Sequence, residues 1–165
     1  MHRREFILAV SAAAALLAVP RSGYAECGGE SAASFVETLY RKQARLQAAE
    51  TPPGEKEYQA LFSRRMRRLM QAPRQFPKDM LIGRVLNAFF GWGVLPFAEV
   101  EIGKVALVDG DDSGPATVGV QIEYRSEQHK VLVRVVIEND DWRIADISYD
   151  NGISLAAHYR SVTRR

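Results

Sequence analysis

Three side chains in the last part of the chain are candidates for moving protons: Tyr124, His129 and Asp146. A phenol, imidazole or carboxylate aimed into a pocket acts as a general acid or base when its surroundings tune its proton affinity. Asp146 stands out. In Trp142-Arg143-Ile144-Ala145-Asp146-Ile147, strict alternation puts it on the same face as Trp142 and Ile144, the expected core face. A carboxylate there is either bonded to backbone donors or an arginine, or sits in a pocket with a shifted pKa. The structural reading, an Asp tying the sheet to the neighbouring turn, is preferred. His129 falls next to the polar turn Ser126-Glu127-Gln128, so it is expected at an exposed hairpin edge. His158 falls in the expected closing helix, where the sequence shows it no obvious partner.

Other stretches point to binding. Phe89-Phe90-Gly91-Trp92-Gly93 sets three aromatics beside two glycines, which suits the mouth of an apolar cavity or core filling with a tight turn. Phe89, Phe90, Trp92 and Trp142 are the ligand-pocket candidates. Arg64-Arg65-Met66-Arg67-Arg68 could meet phosphate or anionic headgroups. The plainer reading is a solvated helix face with Met66 turned inward. Asp109-Gly110-Asp111-Asp112-Ser113-Gly114 starts like a calcium loop, but its twelfth position is Val120 instead of Glu, so it reads as a polar hairpin turn. There is no Gly-rich phosphate loop, metal-spaced His/Cys cluster or Gly-x-Ser-x-Gly elbow. No cofactor and no metal are expected.

These residues need elements to hold them. Val118, Val120, Ile122 and Tyr124 alternate with polar or small residues, and Val131, Val133, Val135 and Ile137 repeat the pattern. A third run spans Trp142 to Ile147. A period of two with one apolar face predicts half-buried antiparallel strands. A fourth strand over Val100, Ile102, Val105 and Leu107 slips phase across Gly103, which predicts a bulge. Upstream, Ser34 and Glu37 have capping-box spacing before Leu39, Tyr40 and Leu46, and Thr51-Pro52-Pro53-Gly54 ends that helix. A second helix runs from about Glu57 through Tyr58, Leu61, Phe62, Met66 and Met70. A third, from Asp79 to Phe89, is apolar on most sides. A closing helix over Ile153–Val162 uses Ile153, Ala156, Tyr159 and Val162.

Residues 1–25 read as an address. Arg3 and Arg4 form a charged start, Phe6 to Val19 is an apolar run of signal-peptide length, and Ser22-Gly23-Tyr24-Ala25 ends in small residues. Cleavage is expected after Ala25, with release to the periplasm and only transient contact with the membrane and its export machinery. His2-Arg3-Arg4-Glu5-Phe6 resembles a twin-arginine export motif without its usual Ser or Thr. Removing Arg3, Arg4, Arg21 and Glu5 from 22 basic and 20 acidic residues leaves 19 of each. The basic pI therefore belongs largely to the address and gives no reason to expect a nucleic-acid partner. Cys27, the single cysteine, follows Glu26, which does not suit lipidation. Residues 26–165 are sized for one domain with one core.

Helices followed by a curved antiparallel sheet, with Phe35-Val36, Tyr40, Leu61-Phe62-Ser63 and the block Trp142 to Tyr149 plus Gly152 and Ser154, resemble the cone-shaped fold of the nuclear transport factor 2-like superfamily. Within it the chain is similar to small exported bacterial proteins of unknown function. Gly152-Ile153-Ser154-Leu155 and Tyr159-Arg160 also resemble the end of the periplasmic phospholipid-shuttle (toluene-tolerance) family, which implies an apolar lipid pocket. The resemblance implies an α+β cone of about four strands with a short C-terminal helix. The expected function is a non-catalytic module for an apolar ligand or a protein partner. One alternative is a small isomerase or dehydratase using Asp146, Tyr124 or His129. Another is an inhibitor or immunity-type protein using the arginine run or the 109–114 loop.

Overall fold

The computed structural model describes residues 30–51, 53–72, 88–91 and 99–163. The expected export address with Arg3, Arg4, Phe6 and Ala25, as well as Cys27, Trp92 and most of the expected third helix, lie outside the described residues. The order is α1 (Ala32–Ala48), α2 (Glu55–Ala60), α3 (Arg64–Gln71), β1 (Glu101–Asp109), β2 (Ala116–Tyr124), β3 (Glu127–Glu138), β4 (Asp141–Ser148) and α4 (Leu155–Thr163). The chain is α+β. Its four strands form one open antiparallel sheet in the order β1-β2-β3-β4.

The alternation read from the sequence holds in the two central strands. Val118, Val120, Ile122 and Tyr124 of β2 and Val131, Val133 and Val135 of β3 are all buried, in a pairing without a register shift from Ala116↔Val135 to Tyr124↔Glu127. The first hairpin is tighter than expected. Arg125 and Ser126 (φ 53 and 63) join β2 to β3, and Asn139 and Asp140 (φ 54 and 62) join β3 to β4. Two successive positive φ values match the right-handed twist of the strands they connect. The first of these turns therefore starts β3 at Glu127, four residues before Val131. The bulge expected across Gly103 is present: β1 takes three steps from Ile102 to Val105 while β2 takes two from Ile122 to Val120.

Helix α1 lays Ala32, Val36, Leu39, Tyr40 and Ala44 into the core, the spacing of one helical face. Its cap corrects the sequence reading. Ser31, not Ser34, is the N-cap, and its hydroxyl accepts from the Ser34 amide. Glu37 pairs instead with Arg41, one turn on. Asp112 of the β1–β2 loop accepts from the Ala32 amide at 2.7 Å. A carboxylate at the start of a helix meets its free amides and the positive end of its dipole.

The expected second helix is two. Between them, Leu61 accepts from the Ile144 amide at 2.9 Å, and the Ser63 amide donates to the Ile144 carbonyl at 2.8 Å. Phe62 is thereby a one-residue parallel strand against β4. Buried backbone groups on the outer side of β4 need partners, and this pairing outweighs helix continuity. Ser63 then caps α3 through the Met66 amide. The closing helix also starts late. Ile153 is exposed, and Leu155 and Ala156 are the buried residues, because Ile153 is held in the preceding turn by Tyr149 and Asn151.

Candidate functional site

The early start of β3 builds the site. Glu127, His129 and Val131 fall on one face by alternation, the face of Val133 and Val135, and His129 pairs opposite Ile122. The strand thus carries two polar side chains past the covered core. Across from them, Tyr149 and Asp150 follow β4, and Phe90 and Gly91 approach from the helical side. Together these residues, with Tyr124, line a cleft of about 170 Å³.

The Asp150 carboxylate Oδ2 lies 2.8 Å from His129 Nδ1, and Glu127 Oε2 lies 3.7 Å from Nε2. A carboxylate at Nδ1 favours the tautomer with its proton there, which leaves the Nε2 lone pair as the basic site. The imidazole side chain is 33% exposed, so the dyad sits at the mouth, within reach of solvent. Deeper in, Tyr124 is buried, and its hydroxyl has no hydrogen-bond partner among the described residues. The Arg125 guanidinium lies 5.3 Å from the centre of its ring. Such a hydroxyl costs free energy unless something else completes it.

Tyr149 closes the inner wall. Its hydroxyl donates to the Ala88 carbonyl at 2.8 Å, and burial pushes the phenol far above its ordinary range. Gly91 makes the wall possible. Its φ is +84, and a Cβ there would meet the Tyr149 ring at 2.9 Å. Only glycine satisfies both conditions without strain.

Of the proton-moving residues, the structure brings Tyr124 and His129 to this cleft and leaves Asp146 away from it. The reason is a bulge: β4 pairs Ile144 with Val135 but Asp146 with Arg134, so Ala145 is an extra residue. This corrects the expected phase. Trp142, Ile144, Ile147 and Tyr149 are buried, while Asp146 points to the other face. Its Oδ1 accepts from the amides of Ile147 and Ala156, each at 2.9 Å.

The aromatic candidates separate as well. Phe90 lines the cleft. Phe89 packs inside a ring cluster with Tyr40, Tyr58 and Phe62. Trp142 is buried, and its indole N–H donates to the Glu30 carbonyl at 2.9 Å. Its partner Ile137 is eight residues from His129 on β3, about 26 Å along a strand. Asp150 was missed in the sequence reading. The signal for it was indirect: extending the β3 alternation back through His129 places that imidazole on the core face, where it needs a partner. In the 109–114 loop, Asp111 accepts from Ser113, and Asp112 holds α1. Among the described residues no cluster of acids, His or Cys could hold a metal ion.

No protein-family model matches the chain, and no curated protein or solved structure matches it.

Proposed function

We propose that this chain is an exported binding module whose cleft takes one small, ring-sized polar molecule. The observation that carries the reading is Tyr124, a cleft-lining residue whose buried hydroxyl has no hydrogen-bond partner among the described residues. His129 and Asp150 at the mouth add a second polar anchor 2.8 Å wide, and Phe90 and Tyr149 supply aromatic walls. Size sets the ligand class. A cavity of about 150 Å³ suits a benzene-sized guest, and drug-like or lipid ligands need about 300–1,000 Å³. At about 170 Å³ this cleft favours a single ring bearing a hydroxyl or carbonyl over the lipid tail implied by the phospholipid-shuttle resemblance.

The cone-type fold of the nuclear transport factor 2-like superfamily is part of the same reading. It is supported by helices gathered on a four-stranded meander with bulges in β1 and β4, which bend a sheet. Residence in the periplasm is supported by Arg3, Arg4 and the apolar run that ends at Ala25. Lysine at both arginine positions would stop export by the twin-arginine route, and unchanged export would assign the general secretory route.

The test is native mass spectrometry of the protein taken from its own host, followed by solvent extraction. A co-purifying small molecule at near-equal stoichiometry, absent from a folded Tyr124→Phe variant, is the expected result. A wild-type protein that comes up bare, and whose melting temperature no single-ring phenol or hydroxy acid raises, would sink the reading.

The His129–Asp150 contact favours a second reading, acid–base chemistry of isomerase or dehydratase type. His129 would take the proton, and the Tyr124 hydroxyl would donate to the developing oxyanion. In that case His129→Gln retains the bound molecule and loses its conversion.

A further inference from the structure

The arginine run is half of a groove. Arg64, Arg65 and Arg68 of α3 form one wall, Arg160 of α4 the other, and Arg134 projects between them from the outer face of β3. They line two depressions of about 540 and 330 Å³ that share Arg65, Leu69, Glu138 and Arg160. This is the opposite face of β3 from His129, so the groove stands independently of the cleft.

The two acids in the groove hold helix-start amides and form no ion pair with its arginines among the described residues, so five cations face two carboxylates. Both Glu138 oxygens accept from the Arg64 amide, at 3.2 and 3.0 Å, and Asp146 holds the Ala156 amide. Each serves a helix start. Arg64 also donates to Asn139 at 2.9 Å. Among the described residues no ion pair or hydrogen bond engages the guanidinium groups of Arg65, Arg68, Arg134 or Arg160. Like charges gathered without partners raise each other's energy, and an anion between them relieves it. The floor is different in kind. Half-buried Leu69, Val136 and Ala145 lie between the cationic walls.

We propose that this groove binds a phosphate ester carried on an apolar body. A phosphate monoester brings up to two charges and three acceptor oxygens, which suits guanidinium forks converging from three elements. A lone carboxylate has one charge and two oxygens and would leave most of the cations unmet. The apolar floor accommodates the rest of the molecule. Cationic walls around an apolar floor distinguish this groove from a plain solvated helix face, where the arginines would point apart.

The probe is dodecyl phosphate below its micellar concentration, titrated into the purified protein by calorimetry, beside dodecyl maltoside and inorganic phosphate. The ester should bind at least about tenfold more tightly than either control, and more weakly as salt rises. Arg65→Gln with Arg160→Gln should weaken it by about tenfold or more while the melting temperature holds, because both side chains are exposed. Ester binding no tighter than maltoside, or unchanged in the double variant, overturns the site. Inorganic phosphate binding as tightly as the ester removes the role of the apolar floor and overturns the ligand class. Vesicles of phosphatidylcholine doped with phosphatidic acid give the source. Co-sedimentation lost in the double variant assigns a lipid headgroup, and ester binding without co-sedimentation assigns a soluble ester.

Discussion

Asp146 Oδ1 accepts from both the Ile147 and the Ala156 amide, each at 2.9 Å. One carboxylate oxygen thus joins the bulge of β4 to the first turn of α4. The bulge turns Asp146 out of the core, and α4 gains an acceptor for an amide that its own turns cannot satisfy.

Asp146→Ala should therefore destabilise the chain by about 1–2 kcal/mol, the usual effect of losing a helix-start acceptor. Urea denaturation measures it. An unchanged midpoint would mean that Ser154, which accepts from the Ala157 amide at 3.2 Å, suffices alone.

The tyrosines set a pH limit. Burial, with a smaller effect from Tyr149 and Tyr58, pushes the Tyr40 phenol well above its ordinary 10.0, and burial does the same to Tyr149. In the unfolded chain both ionise near pH 10, while in the folded chain they stay protonated. Stability from this source is complete below about pH 10 and lost as the pH rises beyond it. Urea midpoints should hold level to about pH 9 and then fall, and Tyr149→Phe should make the fall shallower.

Tyr40 gives a separate expectation at neutral pH. Its hydroxyl is buried with no partner among the described residues, and it sits in the core against Phe89 and Phe90. Tyr40→Phe should stabilise the chain by about 1 kcal/mol, since an unmet buried hydroxyl costs about that much. A lower melting temperature would reveal a partner for that oxygen.

Gly91→Ala should cost about 1–3 kcal/mol, because alanine is strained at φ +84 and its methyl meets the Tyr149 ring. The tyrosine must move, so near-ultraviolet circular dichroism should change along with stability. A loss of stability with an unaltered spectrum would contradict the placement of Tyr149.

Trp142→Ala removes a side chain that is 5% exposed and frees the Glu30 carbonyl. The expected loss is about 3–5 kcal/mol, as for other large core truncations, read from thermal and urea unfolding. An unchanged melting temperature would contradict its place in the core.

The sheet was legible because its signals are local. Alternating Val118 to Tyr124 and Val131 to Val135 report their own face, and the slip across Gly103 announces its bulge. What stayed hidden depends on distant backbone. The bulge at Ala145 has no mark in a run that alternates well, so Asp146 reads as a core residue until its pairing with Arg134 is seen. The break at Phe62 is decided by the Ile144 peptide, more than eighty residues away in sequence. The cleft was half legible. Tyr124 and His129 are visible as chemistry, but Asp150 joins His129 across 21 residues, and the tight Arg125–Ser126 turn that carries β3 back past His129 looks in sequence like a longer one.

The Phe62 bridge has a further effect on how copies of the chain can meet. At Ile144 the outer side of β4 is taken by Leu61 and Ser63, and further along Ser148 and Tyr149 are taken by Ser154 and Ile153. A ribbon of sheets growing from molecule to molecule needs two open edges on each one. With the β4 side held at these points by the protein's own backbone, that edge offers an interrupted row of partners and is a poorer template for the strand of a second molecule.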